Sequence, residues 1–229
     1  MRSLTLLDES GAMPPLQALS EQDATRPVVL IGFQKQGNLG IGYLAATLMR
    51  RGHRVKVLDF EDAAEQILAT IEAEAPVVVG FSLIFQFYLP RFRVLMQYLR
   101  NHGVRSHFTI GGHFPSLSHE RTLELIPEVD SVVRFEGEVT LLELVESLIH
   151  DQDWRRIDGL AYRRDGRFVS NPLRHLLDDL DVLPFPYRQY EPTAILGQRT
   201  MPILASRGCS RTCSFCSIHM FYRAAPGRV

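Results

Sequence analysis

Cys209, Cys213 and Cys216 stand in a C-x3-C-x2-C frame within "GCSRTCSFC", and they are the only cysteines in the chain. Thiolates this closely spaced can curl around one metal centre. An odd number in one cluster makes a poor disulfide framework. It suits a reducing, cytoplasmic setting, in which thiolates stay available to metal. Two kinds of centre match the donors. Zinc wants four ligands, and His219 at C-x2-H from Cys216 completes a Cys3His set, although structural zinc sites usually bring ligand pairs from separated elements. A [4Fe–4S] cluster normally takes four cysteines. Three leave one iron open to an outside ligand, which in an enzyme is a catalytic vacancy. Metal-free core or surface cysteines are the weakest reading, given the clustering.

The loop needs a scaffold, and the sequence upstream describes one. From Pro27 onward, short β-rich runs alternate with amphipathic stretches. The expected strands are Val28–Phe33, Arg54–Phe60, Pro76–Phe85, His107–Gly112 and Ser131–Phe135. "EDAAEQILATIEAEA", Pro90–Asn101 and "VTLLELVESLIH" have helical spacing. Such alternation predicts an α/β fold, a doubly wound, flavodoxin-like five-stranded parallel sheet whose ligand crevice lies at the carboxyl ends of the strands. The loops that open there read "QKQGNLGIG", "SLIFQFY", "GGHFPS" and "EGE". Residues 27–150 form this domain, and residues 1–26 read as a poorly ordered lead-in.

The pattern changes after His150. Ile157–Asn171 reads as a β-hairpin with Asp165-Gly166 at its turn, and "DDLDVLPFPYRQYEP" as a proline-punctuated linker. Hairpin and linker fill residues 151–198. "MPILASRGC" then looks like one more strand opening into the cysteine loop, so that residues 199–229 begin a second unit.

Composition narrows the partners. The 229 residues carry a formal net charge of −1 and are 45% hydrophobic, which is ordinary for a folded domain and leaves no nucleic-acid footprint. No apolar run approaches the roughly 18–20 residues of a membrane span, and the first 25 residues lack the pattern of a signal peptide.

C-x3-C-x-Φ-C, with Phe215 as the aromatic Φ and "SRGC" just upstream, resembles the radical S-adenosylmethionine (SAM) signature, and this resemblance favours the cluster over zinc. It implies that Cys209, Cys213 and Cys216 hold three irons of a [4Fe–4S] cluster while SAM chelates the fourth. His219 then packs or faces solvent. In this family an electron from the cluster cleaves SAM to a deoxyadenosyl radical.

A doubly wound domain in front of that signature resembles the cobalamin-binding domain of cobalamin-dependent radical SAM enzymes. The resemblance runs from about Pro27 to the end of the chain. It implies a cobalamin site built from Gly37, Asn38, Leu39, Gly40, Ser82, Leu83, Gly111, Gly112, Glu136, Gly137 and Glu138, with Phe215 in the SAM motif. Gly111-Gly112 would let backbone approach the nucleotide tail, Ser82 would offer it a hydroxyl, and Glu136-Gly137-Glu138 would border the corrin. Each has a plainer reading: a turn, a helix cap and favourable charge at a helix start.

Two features depart from the family. D-x-H-x-x-G, whose histidine ligates cobalt from below, is absent. If that template ends on Gly40, Lys35 and Gly37 fall where its Asp and His belong. S-x-L reads Ser82-Leu83-Ile84. The resemblance thus implies cobalamin without a protein histidine on cobalt, with Gln34, Gln36 or nothing beneath the ring.

The expected reaction is methyl transfer from methylcobalamin to a carbon of a small-molecule or peptide substrate. A flavodoxin or ferredoxin would donate electrons. A cobalamin or flavin carrier module and a zinc-stabilised interaction module are the alternatives. The family's partial (β/α) barrel runs on the order of 200 residues by analogy with barrel sizes. Only its first strand and cluster loop precede Val229, so the chain is expected to be a piece that is inactive alone.

Overall fold

The computed structural model describes residues 26–35 and 37–226. The expected lead-in, apart from Arg26, and Gln36 lie outside them. The elements alternate as the sequence predicts: β1 (Val28–Gly32), α1 (Leu39–Arg50), β2 (Val55–Asp59), α2 (Ala64–Glu74), β3 (Val78–Ser82) and α3 (Leu89–Asn101). There follow β4 (His107–Gly111), α4 (His113–Leu117), α5 (His119–Leu125), β5 (Ser131–Val133) and α6 (Glu138–Ile149). Asn38 caps α1, its Oδ1 accepting from the Ile41 N–H at 3.2 Å. Pro90 opens α3, where its missing N–H has no helical partner to lose.

The strand order is β2-β1-β3-β4-β5, all parallel. This is the flavodoxin-like order, with its switch point between β1 and β3. The strands at this switch are fully covered: β1 is buried along its whole length and β3 along all but Ser82. They need apolar side chains on both faces, which explains their unbroken Val/Ile/Leu/Phe character. One face packs Ile67 and Ile71 of α2 and Phe92, Met96 and Leu99 of α3, with Phe60 stacked on Phe92 at 4.0 Å. The other face packs Ile41, Ala45 and Leu48 of α1 and Leu141, Leu142 and Val145 of α6.

The expected hairpin forms as β6 (Leu160–Arg164) and β7 (Arg167–Ser170), with Asp165 and Gly166 at positive φ in its turn. It also does what the sequence pattern left open. β6 pairs antiparallel with β5, extending the sheet to seven strands. Apolar Leu160 and Ala161, both fully buried, make that edge continuous with the core.

The strand expected across Met201–Cys209 does not form. β8 (Thr193–Ile195) and β9 (Gln198–Thr200) instead close a small separate hairpin through Leu196 and Gly197, both at positive φ. A strand holds its shape by pairing, and no strand among the described residues runs beside 201–209. Ile203 and Leu204 are accordingly left 81% and 41% exposed. The last described helix is α7 (Ile218–Ala224). Among the described residues no helix is long and apolar enough to cross a membrane.

Candidate functional site

A cavity of about 300 Å3 opens at the carboxyl ends of β1, β3, β4 and β5. Leu30, Gly80, Thr109 and Val133 form its floor, one from each strand. Ile41 and Leu44 of α1 and Leu141 of α6 form its walls. Gly80 is what keeps the floor low, because a Cβ there would stand 2.8 Å from Leu30 Cδ2. The lining is mostly apolar with a few convergent polar groups, the usual character of a small-molecule site.

The loops expected to meet at this crevice do meet, and hydrogen bonds join them in pairs. Asn38 donates from Nδ2 to the Ser82 hydroxyl at 3.3 Å, linking the loops after β1 and β3. Ser116 donates to the Gly112 carbonyl at 2.7 Å and accepts from the Phe135 N–H at 2.8 Å, linking those after β4 and β5. This second bond holds Phe135 at φ 62, a conformation unfavourable for a bulky side chain.

Of the candidate residues, Asn38, Gly40, Ser82, Gly111, Gly112, Glu136, Gly137 and Glu138 line the cavity. Leu83 does not, because it is fully buried in the core. Neither Gly37 nor Leu39 lines it. A Cβ on Gly37 would instead face Pro202 Cγ at 3.5 Å and the Tyr190 hydroxyl at 3.7 Å. Phe215 is 90% exposed. The glycine pair also has an explanation that involves no ligand. Gly112 sits at φ +116, and a Cβ would lie 2.1 Å from the Leu83 carbonyl oxygen.

The C-terminal segment closes one side of the cavity with Leu204, Arg207, Phe221 and Tyr222. Phe221 packs against Phe135 at 5.0 Å and His113 at 4.7 Å between ring centroids. Burial holds the His113 imidazole below its ordinary pKa, so the ring facing the cavity favours the neutral form. Arg207 lies against both glutamates of "EGE", 3.3 Å from Glu136 and 2.5 Å from Glu138. Burial alone would pull its pKa down, but the carboxylates of Glu138 and Glu136 outweigh it and hold the guanidinium charged. Tyr43, Ser116, Phe135, Arg207 and Phe221 were not singled out from sequence. The usable signal was charge: "SRGC" puts a cation beside the cysteines, and "EGE" puts two anions at the crevice.

The three thiols are free, and the Cys216 N–H bonds the Cys213 carbonyl at 3.0 Å in a tight turn. Cys209 and Cys213 are exposed and Cys216 is half-buried. Among the described residues no set of three or more His, Cys, Asp or Glu side chains is gathered as a metal site. The donor chemistry, three thiols within eight residues, fits an iron–sulfur cluster. The Nδ1 of His219 is buried without a hydrogen-bond partner among the described residues.

A flavodoxin-like sheet with a cavity at its switch point, followed by a cysteine loop packed on the rim, defines a nucleotide- or cofactor-binding α/β domain. Residues 32–145 match the B12 binding domain family. An uncharacterized methyltransferase of Pyrococcus horikoshii is 31% identical over 185 residues, covering 78% of this chain and 40% of that protein. The anaerobic magnesium-protoporphyrin IX monomethyl ester cyclase of Synechocystis is 28% identical over 192 residues, covering 80% of this chain and 38% of that protein. The chain thus spans about two-fifths of the length of these relatives. Among solved structures, the apo form of OxsB, a cobalamin-dependent SAM radical enzyme, superposes with a TM-score of 0.61 at 22% identity. That match covers 81% of this chain and 27% of OxsB, and shows that the fold is shared.

Proposed function

We propose that this chain provides the cobalamin-binding domain and the cluster loop of a radical SAM enzyme whose reaction is methyl transfer to a carbon of a small-molecule or peptide substrate. The observation that carries this reading is the cavity at the switch point of a sheet that matches the B12 binding domain family. A space of about 300 Å3 is at the lower end for a small-molecule site, so it suits the nucleotide arm of cobalamin rather than the whole corrin. Gly80 and Thr109 would accept the arm at the floor. Ser82, with its hydroxyl already held by Asn38, would meet its polar edge. Gly137 and the paired glutamates would border the ring at the mouth.

Cys209, Cys213 and Cys216 would hold a [4Fe–4S] cluster, leaving one iron for SAM. When bound, cobalamin supplies the transferable methyl group, and the cluster with SAM supplies the radical that activates the substrate carbon. The protein's part is to position these groups and exclude water. Free thiols awaiting metal suit a reducing cytoplasm, and a flavodoxin or ferredoxin would donate the electrons.

A second reading is a cobalamin carrier without catalysis, favoured by the thiols not being gathered. One pair of measurements on the full chain separates the two. Titration with cobalamin, followed by absorbance, should saturate at one equivalent. Anaerobic reconstitution with iron and sulfide should load about four irons, and Cys213→Ala should lose most of them. Saturation with cobalamin but no stable iron would leave the carrier reading. No spectral change on adding cobalamin would sink both.

A further inference from the structure

Arg207 stands two residues before the first cysteine, yet its side chain is only 7% exposed. Its Nη1 lies 3.3 Å from Glu136 Oε1 and its Nη2 2.5 Å from Glu138 Oε1, and these carboxylates are 7% and 5% exposed. Tyr43 of α1 lies under the guanidinium at 5.1 Å. A buried arginine that loses its partners leaves a strongly destabilising charge, so this contact holds the segment in one place. Glu136 is itself fixed, accepting from the Leu177 N–H at 2.8 Å through Oε2. The other end of the cysteine loop is also pinned, by Phe221, which is 5% exposed and packs on Phe135 and His113. Between these two anchors Cys209 and Cys213 are solvent-exposed.

We propose that Arg207 is a positioning residue. Its clasp on Glu136 and Glu138 sets the cysteine loop at the mouth of the cavity, so that the distance between a cluster on the loop and a cobalt at the cavity is built into the fold. The cofactor part of this assignment rests on the function proposed above. The clasp joins the two motifs that flank the site, "EGE" after β5 and "SRGC" before the cysteines. Lysine, a single compact cation, cannot span both carboxylates as the forked guanidinium does.

The test uses the full chain and Arg207→Met. In the absence of cofactors, amide hydrogen exchange at the bonded Cys216 N–H and across α7 should accelerate about tenfold or more in the variant, with β1, β3 and β4 unchanged. With cob(II)alamin bound and the reconstituted cluster reduced, the parent should show electron-spin coupling between cobalt and cluster. Arg207→Met should weaken that coupling while retaining cobalt and iron content. Arg207→Lys should recover only part of it. If Arg207→Met does not fold, the paired change Glu136→Gln with Glu138→Gln opens the clasp from the opposite side and should give the same two signatures. A parent that takes up no cobalamin or no iron removes the functional reading and this assignment with it. A parent that loads both, with exchange and coupling unaltered in the variants, overturns the clasp alone.

Discussion

Gly112 presses its backbone against Leu83 so closely that a Cβ would stand 2.1 Å from the Leu83 carbonyl oxygen and 2.8 Å from its carbon. The neighbour is backbone, anchored by the Leu83 N–H bond to the Gly111 carbonyl at 2.9 Å, so it cannot yield as a side chain can. Gly112→Ala should therefore destabilise the chain by about 3 kcal/mol or more, combining a left-handed φ with a backbone clash. Gly103→Ala is the control. It shares a positive φ, +86, but nothing lies within 4 Å of the added methyl, so it should cost only about 1 kcal/mol. Urea unfolding of both variants reads the difference. Equal losses would mean that the contact with Leu83 contributes nothing.

Asn38 serves two elements with one side chain, and substitution can separate the two roles. Ser82→Ala removes the hydroxyl that accepts from Asn38 Nδ2 and leaves the Asn38 Oδ1 cap on the Ile41 N–H intact. It should retain the cap and lose only the loop-to-loop bond, at a cost of about 0.5–1 kcal/mol. Asn38→Ala loses both, at about 1–2 kcal/mol. Combined with Asn38→Ala, Ser82→Ala should show little further loss, because the bond between the two side chains is already gone. Full additivity in that double variant would show that the 3.3 Å contact carries no energy.

The parallel sheet was legible because each central strand is a continuous apolar run and each crossover has helical spacing, signals that survive without partners. β5 fell short of its expected end because Phe135 takes φ 62, and an aromatic residue carries no local sign of that conformation. The hairpin was read from Asp165-Gly166, but its place beside β5 depended on where Leu160 and Ala161 could be buried, which is a long-range fact. Met201–Cys209 forms no strand, although an apolar run with β-branched and aliphatic residues has strand character whether or not a neighbour is there to pair with it. Site residues carried on short loops were legible as motifs. Arg207 and Phe221 were not, since their role lies in a contact across about 70–85 residues of chain.

Two buried groups should shape the pH dependence of stability in opposite directions. Burial, opposed by Asp130 and reinforced by Arg100 and Arg155, lowers the His107 pKa to about 4, with the ring bonded to Ser131 at 2.8 Å and packed on Trp154. Its folded pKa lies below its unfolded one, so its stability contribution is complete above about pH 6.5 and is lost as pH falls through about 4. Burial raises Glu143 to about 7 despite the ion pair with Arg174. That contribution is complete below about pH 4.5 and is lost as pH rises through about 7. His107→Gln should flatten the acid limb of the stability profile and Glu143→Gln the limb approaching neutrality. Chemical denaturation from pH 4 to 8 checks both, and a profile unchanged by either variant would contradict the burial argument.

Gly80 offers the most direct test of what the cavity is for. A Cβ there meets Leu30 Cδ2 at 2.8 Å and Thr109 Cγ2 at 3.8 Å. The nearest of these is the end of a side chain, so Leu30 can shift, and Gly80→Ala should cost only about 1–2 kcal/mol of stability. The methyl nevertheless raises the floor at the point where the nucleotide arm would lie deepest. Cobalamin affinity should fall about tenfold or more in Gly80→Ala, equivalent to about 1.4 kcal/mol of binding. Gly80→Val should fall further while remaining folded by circular dichroism. Equilibrium titration of parent and variants with cobalamin measures this. Undiminished affinity in a folded Gly80→Val would place the ligand outside the cavity, because no rearrangement of Leu30 alone makes room for three added carbons and a nucleotide arm.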